Sequence, residues 1–389
     1  MKSRPKGKAS SRHVRMGTVT LSPSLVAVIF KKAMSPSLSS HRSLYKYSFG
    51  GEVLMLTTHL LESRWKCLRV LGVVLGVVAS IAATSQAGVM SFGAGVNAFQ
   101  MEFVGIGNPG NLADTTGTPS PSGAVGYDFG IGKFEVSEDM INKFNASQSL
   151  QITKDSRGTN KPATHITWNE AARFVNWLNT STGGFNAYKF TTGGVNDNIA
   201  LWTAADTLDY VAANPYRSKR ATYVLPSYNE WYKAAYYNPN NSTYYNFSNG
   251  SDSAPNPVAS GTAANTAVYL QSYAQGPADV TQAGGLSPYG VMGLGGNVWE
   301  WEESSFDLAS SGGTSDRGIR GGDWSIGNSA LSSSFRLNIS PGALNYDNIG
   351  FRVVSLSSVA PAAVPEPSMM LIGTVIGLGG LSAKRRMKK

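Results

Sequence analysis

The stretch Gly293-Leu294-Gly295-Gly296-Asn297-Val298-Trp299-Glu300-Trp301 holds most of the information on the fold of this 389-residue chain. Two stretches of similar character follow it, Arg320-Gly321-Gly322-Asp323-Trp324 and Asn348-Ile349-Gly350-Phe351-Arg352. Each combines glycine with a large aromatic ring and a charged side chain. Such residues favour a Gly-rich core in which aromatic rings are buried and charged groups are hydrogen-bonded.

The sequence before these stretches predicts strands and three short helices. Residues 103–107 and 126–136 read as strands around a loop at 108–123. The first helix is predicted over 140–144, after Ser137 and two acidic residues. Thr167 with Glu170, and Ser227 with Glu230, form capping boxes that open the other two helices. Residues 237–285 are rich in Asn, Ser, Gly, Thr and Pro, and we expect long loops there.

Five ordered motifs give the chain a resemblance to the formylglycine-generating enzyme domain, also called the sulfatase-modifying factor domain. The first three are Ile131–Ser137, Thr167–Phe174 and Leu225–Trp231, and the other two are the C-terminal stretches quoted above. The resemblance runs from about Phe103 to Val354. It implies an α+β fold, mostly irregular and C-type-lectin-like, with short strands, few helices and long loops.

The resemblance implies a reaction whose residues this chain lacks. Active members oxidise a sulfatase cysteine with two cysteines of their own, and the matching positions here hold Ile326 and Leu331. The only cysteine is Cys67. A soft Cu(I) ion requires sulfur donors, so the sequence argues against copper. Iron is disfavoured as well, because only His165 lies between the two ends of the chain and iron sites use several histidines.

Calcium is the cofactor that the resemblance still allows. Family members bind it through oxygen ligands, which suit a hard cation. One matching site comprises Gly293, Gly296, Val298 and Glu300, although Gly293 lacks the side-chain oxygen usual at its position. A second site would include Asn265 and Thr266. The alternative is that Trp299, Glu300 and Trp301 are core and hydrogen-bonding residues with no ion.

A ligand pocket is a further hypothesis, formed by Arg320, Trp324, Arg336 and Arg352. Guanidinium groups suit anionic ligands, and an aromatic face can stack on a sugar ring. The other interpretation is structural: the arginines bond to loop carbonyls and to acids such as Glu300 or Asp323. The surroundings of Ile326 and Leu331 would distinguish function classes, because a carboxylate cluster there favours an enzyme and an apolar floor favours binding.

The formal net charge of +9 is confined to the two ends. Residues 1–69 hold 13 Lys and Arg against two acidic residues, and the tail 384–389 adds five more basic residues. The middle is therefore acidic, with 15 basic and 22 acidic residues. This distribution argues against nucleic acid as a partner.

The N-terminal end predicts export. A basic stretch, the apolar run 70–83 and the small residues Ser85 and Ala87 are the three parts of a secretory signal peptide, which we place at 55–87. A buried helix is the alternative for 70–83. Residues 1–54 are expected to be disordered or to precede a wrongly assigned start, with Met55 as the true start.

The C-terminal end, residues 359–389, resembles a PEP-CTERM sorting signal. Its motif at 364–368 contains Pro365, Glu366 and Pro367, and an apolar run at 369–383 and the basic tail follow. The resemblance implies recognition by an exosortase and transient membrane association through 369–383. A simple C-terminal membrane anchor is the alternative.

These features predict one domain at 88–358 in a protein exported by a Gram-negative-type bacterium to the envelope, surface or extracellular matrix. We expect a ligand-binding or structural module, with exopolysaccharide or another glycan as a partner. The alternative is an enzyme of the same fold with thiol-free chemistry. A third reading, a factor that matures sulfatases, would require the missing cysteines.

Overall fold

A computed structural model describes residues 44–49, 52–57, 88–344 and 346–357. It divides into two units, residues 1–83 and 84–389. The described strands are β1 (Leu44–Phe49), β2 (Glu52–Thr57), β3 (Gly88–Phe92), β4 (Phe99–Ile106), β5 (Phe129–Gly132), β6 (Tyr223–Val224), β7 (Tyr237–Asn238), β8 (Thr243–Tyr244), β9 (Asn256–Pro257), β10 (Thr266–Ala267), β11 (Trp299–Ser305), β12 (Arg317–Arg320), β13 (Leu337–Ile339), β14 (Ile349–Gly350) and β15 (Val354–Ser355). The described α-helices are α1 (Glu138–Ala146), α2 (Trp168–Ser181) and α3 (Tyr228–Tyr236).

The first unit contains one described element, an antiparallel hairpin of β1 and β2. The hairpin spans the predicted boundary between residues 54 and 55, and Met55 pairs with Lys46. The predicted signal peptide after residue 57 lies outside the described residues, and the division of this end remains a prediction.

The second unit is organised around a five-stranded antiparallel sheet in the order β3-β4-β5-β15-β6. Strand β4 alternates buried and more exposed residues over its first half, as a strand with one face on a core does. Strand β15 lies between β5 and β6 and pairs with both, so the last described strand connects β6 to the rest of the sheet. The predicted strands at 103–107 and 126–136 are confirmed in their central parts.

All three predicted helices are present, and their caps explain where they begin. The Thr167 hydroxyl accepts a hydrogen bond from the Glu170 amide while the Glu170 side chain accepts from the Thr167 amide, and Ser227 and Glu230 repeat this arrangement. Each box satisfies two amides that have no partner inside the helix. The Ser137 hydroxyl accepts from Met140 at the start of α1.

A second, four-stranded sheet carries the Gly-rich motifs, in the order β13-β12-β11-β14. Strand β11 pairs antiparallel with β12, with Glu300 opposite Arg320, and parallel with β14, with Glu300 opposite Gly350. Six of its seven residues are buried, including Glu300, Glu302 and Glu303. A strand that is buried on both faces while carrying three carboxylates requires cationic partners in the interior.

Residues 237–285 form the loops that were predicted. Their regular structure is limited to the two-residue strands β7 to β10 and to the short 3-10 helices Tyr273–Gln275 and Val280–Gln282. Two further 3-10 helices lie at Gly95–Asn97 and Asn328–Leu331. Among the residues described, no helix has the length and hydropathy that a membrane span requires.

The core joins both sheets to the helices through aromatic side chains. Phe174 of α2 contacts Phe351 edge-on at 5.6 Å, and Phe99 stacks on Trp177 at 5.9 Å. Trp301 is fully buried and donates its indole N–H to the Ile166 carbonyl at 2.8 Å. The predicted α+β class with short strands, few helices and long loops is confirmed.

Candidate functional site

Glu300, in the Gly-rich motif, accepts hydrogen bonds from two side chains of other segments, Arg352 and Trp231. Its Oε2 accepts from Arg352 Nε at 2.6 Å and from Trp231 Nε1 at 2.7 Å, and its Oε1 accepts from Arg352 Nη2. The remaining N–H groups of Arg352 reach the carbonyls of Gly132 and Met292. Removal of Glu300 would therefore destabilise the protein with or without calcium, since it leaves a buried guanidinium without its carboxylate.

Glu302 serves two arginines at once. Arg320 Nε donates to its Oε1 at 2.6 Å and Arg336 Nε donates to its Oε2 at 2.7 Å. The three side chains are 0 to 1% exposed. Arg320 also donates to the carbonyls of Thr118 and Phe335, and Arg336 to those of Ser305 and Phe306.

The predicted pocket residues thus lie in the interior. Counted as whole residues with their backbone, Arg320, Trp324 and Arg352 are 0% exposed and Arg336 is 8% exposed. Trp324 donates its indole N–H to the Tyr273 carbonyl at 3.0 Å, and Arg157 covers its ring at 4.9 Å. Loop carbonyls and buried acids accept from the N–H groups of the three arginines, and a ligand pocket at these residues remains a prediction.

The motif analysis missed a third buried ion cluster, centred on Arg217. Its Nε donates to Glu303 and its terminal nitrogens donate to Glu230, at 2.7 to 3.0 Å. Burial opposes ionisation, yet Arg217 holds the pKa of Glu230 below its usual value. Glu230 was identified only as a helix cap. Nothing local in the sequence links it to Arg217.

Glu135 is a further buried acid that the motifs did not single out. It is 1% exposed, and its Oε1 accepts from Asn297 Nδ2 at 2.9 Å. Its Oε2 has no hydrogen-bond partner among the described residues. The pKa of Glu135 is raised to about 7; burial is the main cause, the nearby Arg352 opposes the shift and the negative charge of Glu300 adds to it. The alternation of Phe134, Glu135 and Val136 at a strand end was the only available signal.

The two residues of the second predicted calcium site are adjacent, but their oxygens accept hydrogen bonds from neighbouring loops. The Asn265 carbonyl accepts from Asn256 at 2.9 Å and its side-chain oxygen accepts from Asn249 Nδ2. The Thr266 carbonyl accepts from Gly285 at 2.8 Å. These loop hydrogen bonds compete with an ion for the same oxygens, and calcium at this place remains a prediction.

The first predicted calcium site forms a tight turn next to Glu135. Gly293 and Gly296 have φ of +76° and +84°, a region that favours glycine. Val298 is fully buried. A side chain at Gly293 would collide with the Glu135 carboxylate, so this acid fills the space beside the turn.

Apolar side chains surround the positions where the family resemblance places its cysteines. A Cβ atom at Gly322 would lie 2.9 Å from Leu331 Cδ1, 3.2 Å from Ile326 Cγ2 and 3.4 Å from Ala330 Cβ. Leu331 is 1% exposed. Ile326 and Leu331 therefore face the same glycine across a packed apolar contact.

Other candidate residues lie apart from this region or outside the described residues. His165 has a φ of +62° and lies 3.9 Å from Asp155. In the part of the chain that the structure describes, no three His, Cys, Asp or Glu side chains are placed to hold a metal ion. The sorting motif with Pro365, Glu366 and Pro367 lies outside the described residues.

One cavity of about 310 Å³ lies beside Gly132, whose carbonyl accepts from the buried Arg352. Residues of strands β3 and β4 line it together with Gly132, Phe134, Glu135, Met140 and residues 280–281. Its wall is largely apolar through Met101, Phe134 and Val280, with Glu102 at its edge. None of the four predicted pocket residues is among those that line it.

The sequence of the whole domain matches the profile of the Sulfatase-modifying factor enzyme 1-like domain over residues 95–356. The chain belongs to that family. The family assignment covers both sheets of the second unit except β3, together with all three helices, and supports the C-type-lectin-like fold. No curated protein matches the sequence.

Three solved structures resemble the chain at low identity. Treponema denticola variable protein 1 is 20% identical, with a TM-score of 0.46, and the match covers 69% of this chain and 98% of that one. CarF is 18% identical, with a TM-score of 0.41 and coverages of 70% and 96%. PvdO from Pseudomonas aeruginosa is 18% identical, with a TM-score of 0.38 and coverages of 69% and 98%.

Proposed function

We propose that this family member is an exported binding or structural module of the bacterial envelope or exopolysaccharide matrix, without the oxidase activity of the redox-active members. The observation that carries the proposal is the apolar contact of Ile326, Ala330 and Leu331 with Gly322. A thiolate pair is needed to bind Cu(I) and to react, and this contact offers only hydrocarbon. An apolar floor favours binding over catalysis.

The proposal of export and sorting is supported by the two ends of the sequence. The apolar run at 70–83 with small residues before position 88 favours signal-peptide cleavage, and β3 begins at Gly88, just after the proposed cut. The motif Pro365-Glu366-Pro367, with the apolar run 369–383 and the basic tail, favours recognition by an exosortase and transient membrane association. A glycan of the matrix is the proposed ligand.

We also propose calcium as a cofactor at the turn of Gly293, Gly296, Val298 and Glu300. Backbone carbonyls and carboxylates are the oxygen ligands that calcium prefers. The positive φ of both glycines gives the turn the tight curvature that converging carbonyls need. Glu300 is already bonded to Arg352 and Trp231, so it is the weaker part of this donor set.

The alternative function, a thiol-free enzyme of the same fold, predicts reactive polar groups at the former cysteine positions. The carboxylate nearest in sequence, Asp323, lies beside Ile326, but its oxygens accept from the Ser325 and Ile326 amides and from Asn348 Nδ2. The observed apolar contact gives this alternative less support than the binding module.

A copper test with an introduced cysteine pair examines whether the protein lacks the oxidase activity. The purified protein and the double variant Ile326→Cys/Leu331→Cys are titrated with Cu(I) and incubated with a Cys-x-Pro-x-Arg sulfatase peptide. We expect at least about a 100-fold tighter Cu(I) affinity in the variant, since the two side chains face one glycine and two thiolates suit a soft ion. Formylglycine formed by the unaltered protein, detected by mass spectrometry, would refute the proposal.

A binding screen tests the positive half of the proposal. The protein is screened against purified bacterial exopolysaccharides and a glycan array, in calcium and in chelator. Saturable binding of a polysaccharide supports the module. Turnover of any screened glycan would instead favour the enzymatic alternative.

A further inference from the structure

Two buried carboxyl groups and one guanidinium lie in the interior beside the Gly-rich turn. Glu135 and Glu300 are both buried, and Arg352 is the cation whose field reaches both. Arg352 directs its hydrogen bonds to Glu300 and to the carbonyls of Gly132 and Met292, not to Glu135. Two carboxylates thus share one guanidinium, and buried charges of this kind are normally paired or bound to a metal.

The unbalanced oxygen can be assigned to one atom. Glu135 Oε1 accepts from Asn297, whereas Oε2 has no partner among the described residues and is closed to solvent. A buried oxygen without a donor is rare enough to require an explanation, and a bound ion is one of the recognised ones.

The position of this carboxylate is set by the turn itself. A Cβ atom at Gly293 would collide with the Glu135 carboxyl group, so the acid occupies the volume that a side chain at 293 would fill. Asn297, with φ of +62°, donates to Oε1, which is the oxygen nearer to the Gly293 position, and leaves Oε2 beside the turn without a donor. Gly293, which has no side-chain oxygen, and Glu135, which has a carboxylate, are therefore direct neighbours.

We propose that Glu135 is a ligand of a calcium ion held against the turn of residues 293–298, in place of the side-chain oxygen that Gly293 does not provide. The inference rests on the calcium binding proposed above. Calcium accepts six to eight oxygen ligands in flexible geometry, which allows one carboxylate and several carbonyls. Magnesium fits the proposal less well than calcium, because it requires near-ideal octahedral geometry and usually keeps several waters.

The test compares Glu135→Gln with Glu102→Gln in the full chain. Glu102 is the matched control, since it is also an acid near the same strands but is 29% exposed and paired with Lys133. Calcium is titrated calorimetrically into chelator-treated protein, and thermal unfolding is followed with and without calcium. We expect at least a tenfold loss of calcium affinity for Glu135→Gln and wild-type affinity for Glu102→Gln.

The thermal data separate a ligand from a merely structural acid. Glu135→Gln should unfold in chelator at or above the wild-type temperature, because the amide removes the unbalanced charge, while its calcium-dependent rise in melting temperature is lost. Equal destabilisation of this variant in chelator and in calcium would overturn the role of Glu135. No calcium binding by the unaltered protein would overturn the inference as well.

Terbium luminescence locates the ion. Trp299 and Trp301 flank Glu300 and can sensitise a lanthanide bound at the turn. We expect emission from the unaltered protein that calcium displaces, and no emission from Glu135→Gln; persistent emission in that variant refutes the assignment. The copper and glycan assays can be run on protein from which calcium and chelator have both been removed, so failure of the calcium site is distinguishable from failure of the binding function.

Discussion

The buried triad of Glu302, Arg320 and Arg336 makes the sharpest prediction about stability. The substitution Glu302→Gln keeps the size of the side chain and removes its charge. One oxygen can still accept from one arginine, but the new NH₂ group faces the N–H donors of the other. Both original contacts are short, at 2.6 and 2.7 Å.

The magnitude follows from burial. The three side chains are 0 to 1% exposed, so water cannot replace the lost carboxylate. Breaking a buried ion pair by removing one partner costs about 3–5 kcal/mol. The control is Glu102→Gln, which breaks a pair with Lys133 whose side chains are 28 and 29% exposed. An exposed pair of that kind contributes about 0–1 kcal/mol.

The assay is urea unfolding followed by tryptophan fluorescence, with the slope of the transition checked for two-state behaviour. We expect the free energy of unfolding to fall by about 3–5 kcal/mol for Glu302→Gln and by less than about 1 kcal/mol for Glu102→Gln. Equal losses in the two variants, or a loss under about 1 kcal/mol for Glu302→Gln, would refute the claim that this triad stabilises the fold.

Two further predictions concern a glycine and a lysine. Gly296→Ala places a Cβ against the Val268 carbonyl at a φ of +84°, and should lower the free energy of unfolding by about 3 kcal/mol or more. The control is Gly327→Ala, whose Cβ would have no atom within 4 Å. It should change the free energy of unfolding by less than about 0.5 kcal/mol in the same urea assay. Burial lowers the pKa of Lys233 to about 8, so the folded state binds fewer protons than the unfolded state above that pH and is stabilised as pH rises. Lys233→Met should therefore exceed the wild type in stability at pH 7 by about 1–3 kcal/mol, and this advantage should shrink as pH rises from about 8 toward the unfolded pKa of 10.5; an advantage that does not change with pH would contradict this.

Local signals in the sequence were sufficient for the helices and the loops. Thr167 and Ser227 cap helices because the acid three residues later completes a box, and that information lies within four residues. The loops at 237–285 follow from composition. The family resemblance then supplied the architecture that no local pattern contains.

The ion pairs of the interior could not be predicted in the same way. Arg217 and Glu303 are 86 residues apart, and Arg352 and Glu300 are 52 apart. Their pairing depends on how the sheets close, which charge patterns along the chain do not encode. The role proposed for Glu135 is still harder to predict from the sequence. It depends on an oxygen without a hydrogen-bond partner and on the contact of the carboxyl group with the Gly293 position.

Strand β11 carries a consequence for how the molecule is assembled. Glu303 pairs with Arg217 and Glu302 with Arg320 and Arg336, whereas Glu300 pairs with Arg352, which lies five residues before the end of the described domain. Until Arg352 is in place, the strand holds one anion, Glu300, that it cannot bury. A growing or truncated chain that ends before residue 352 should therefore remain incompletely folded and sensitive to proteases. We expect the domain to fold late, in one cooperative step that requires the C-terminal strands.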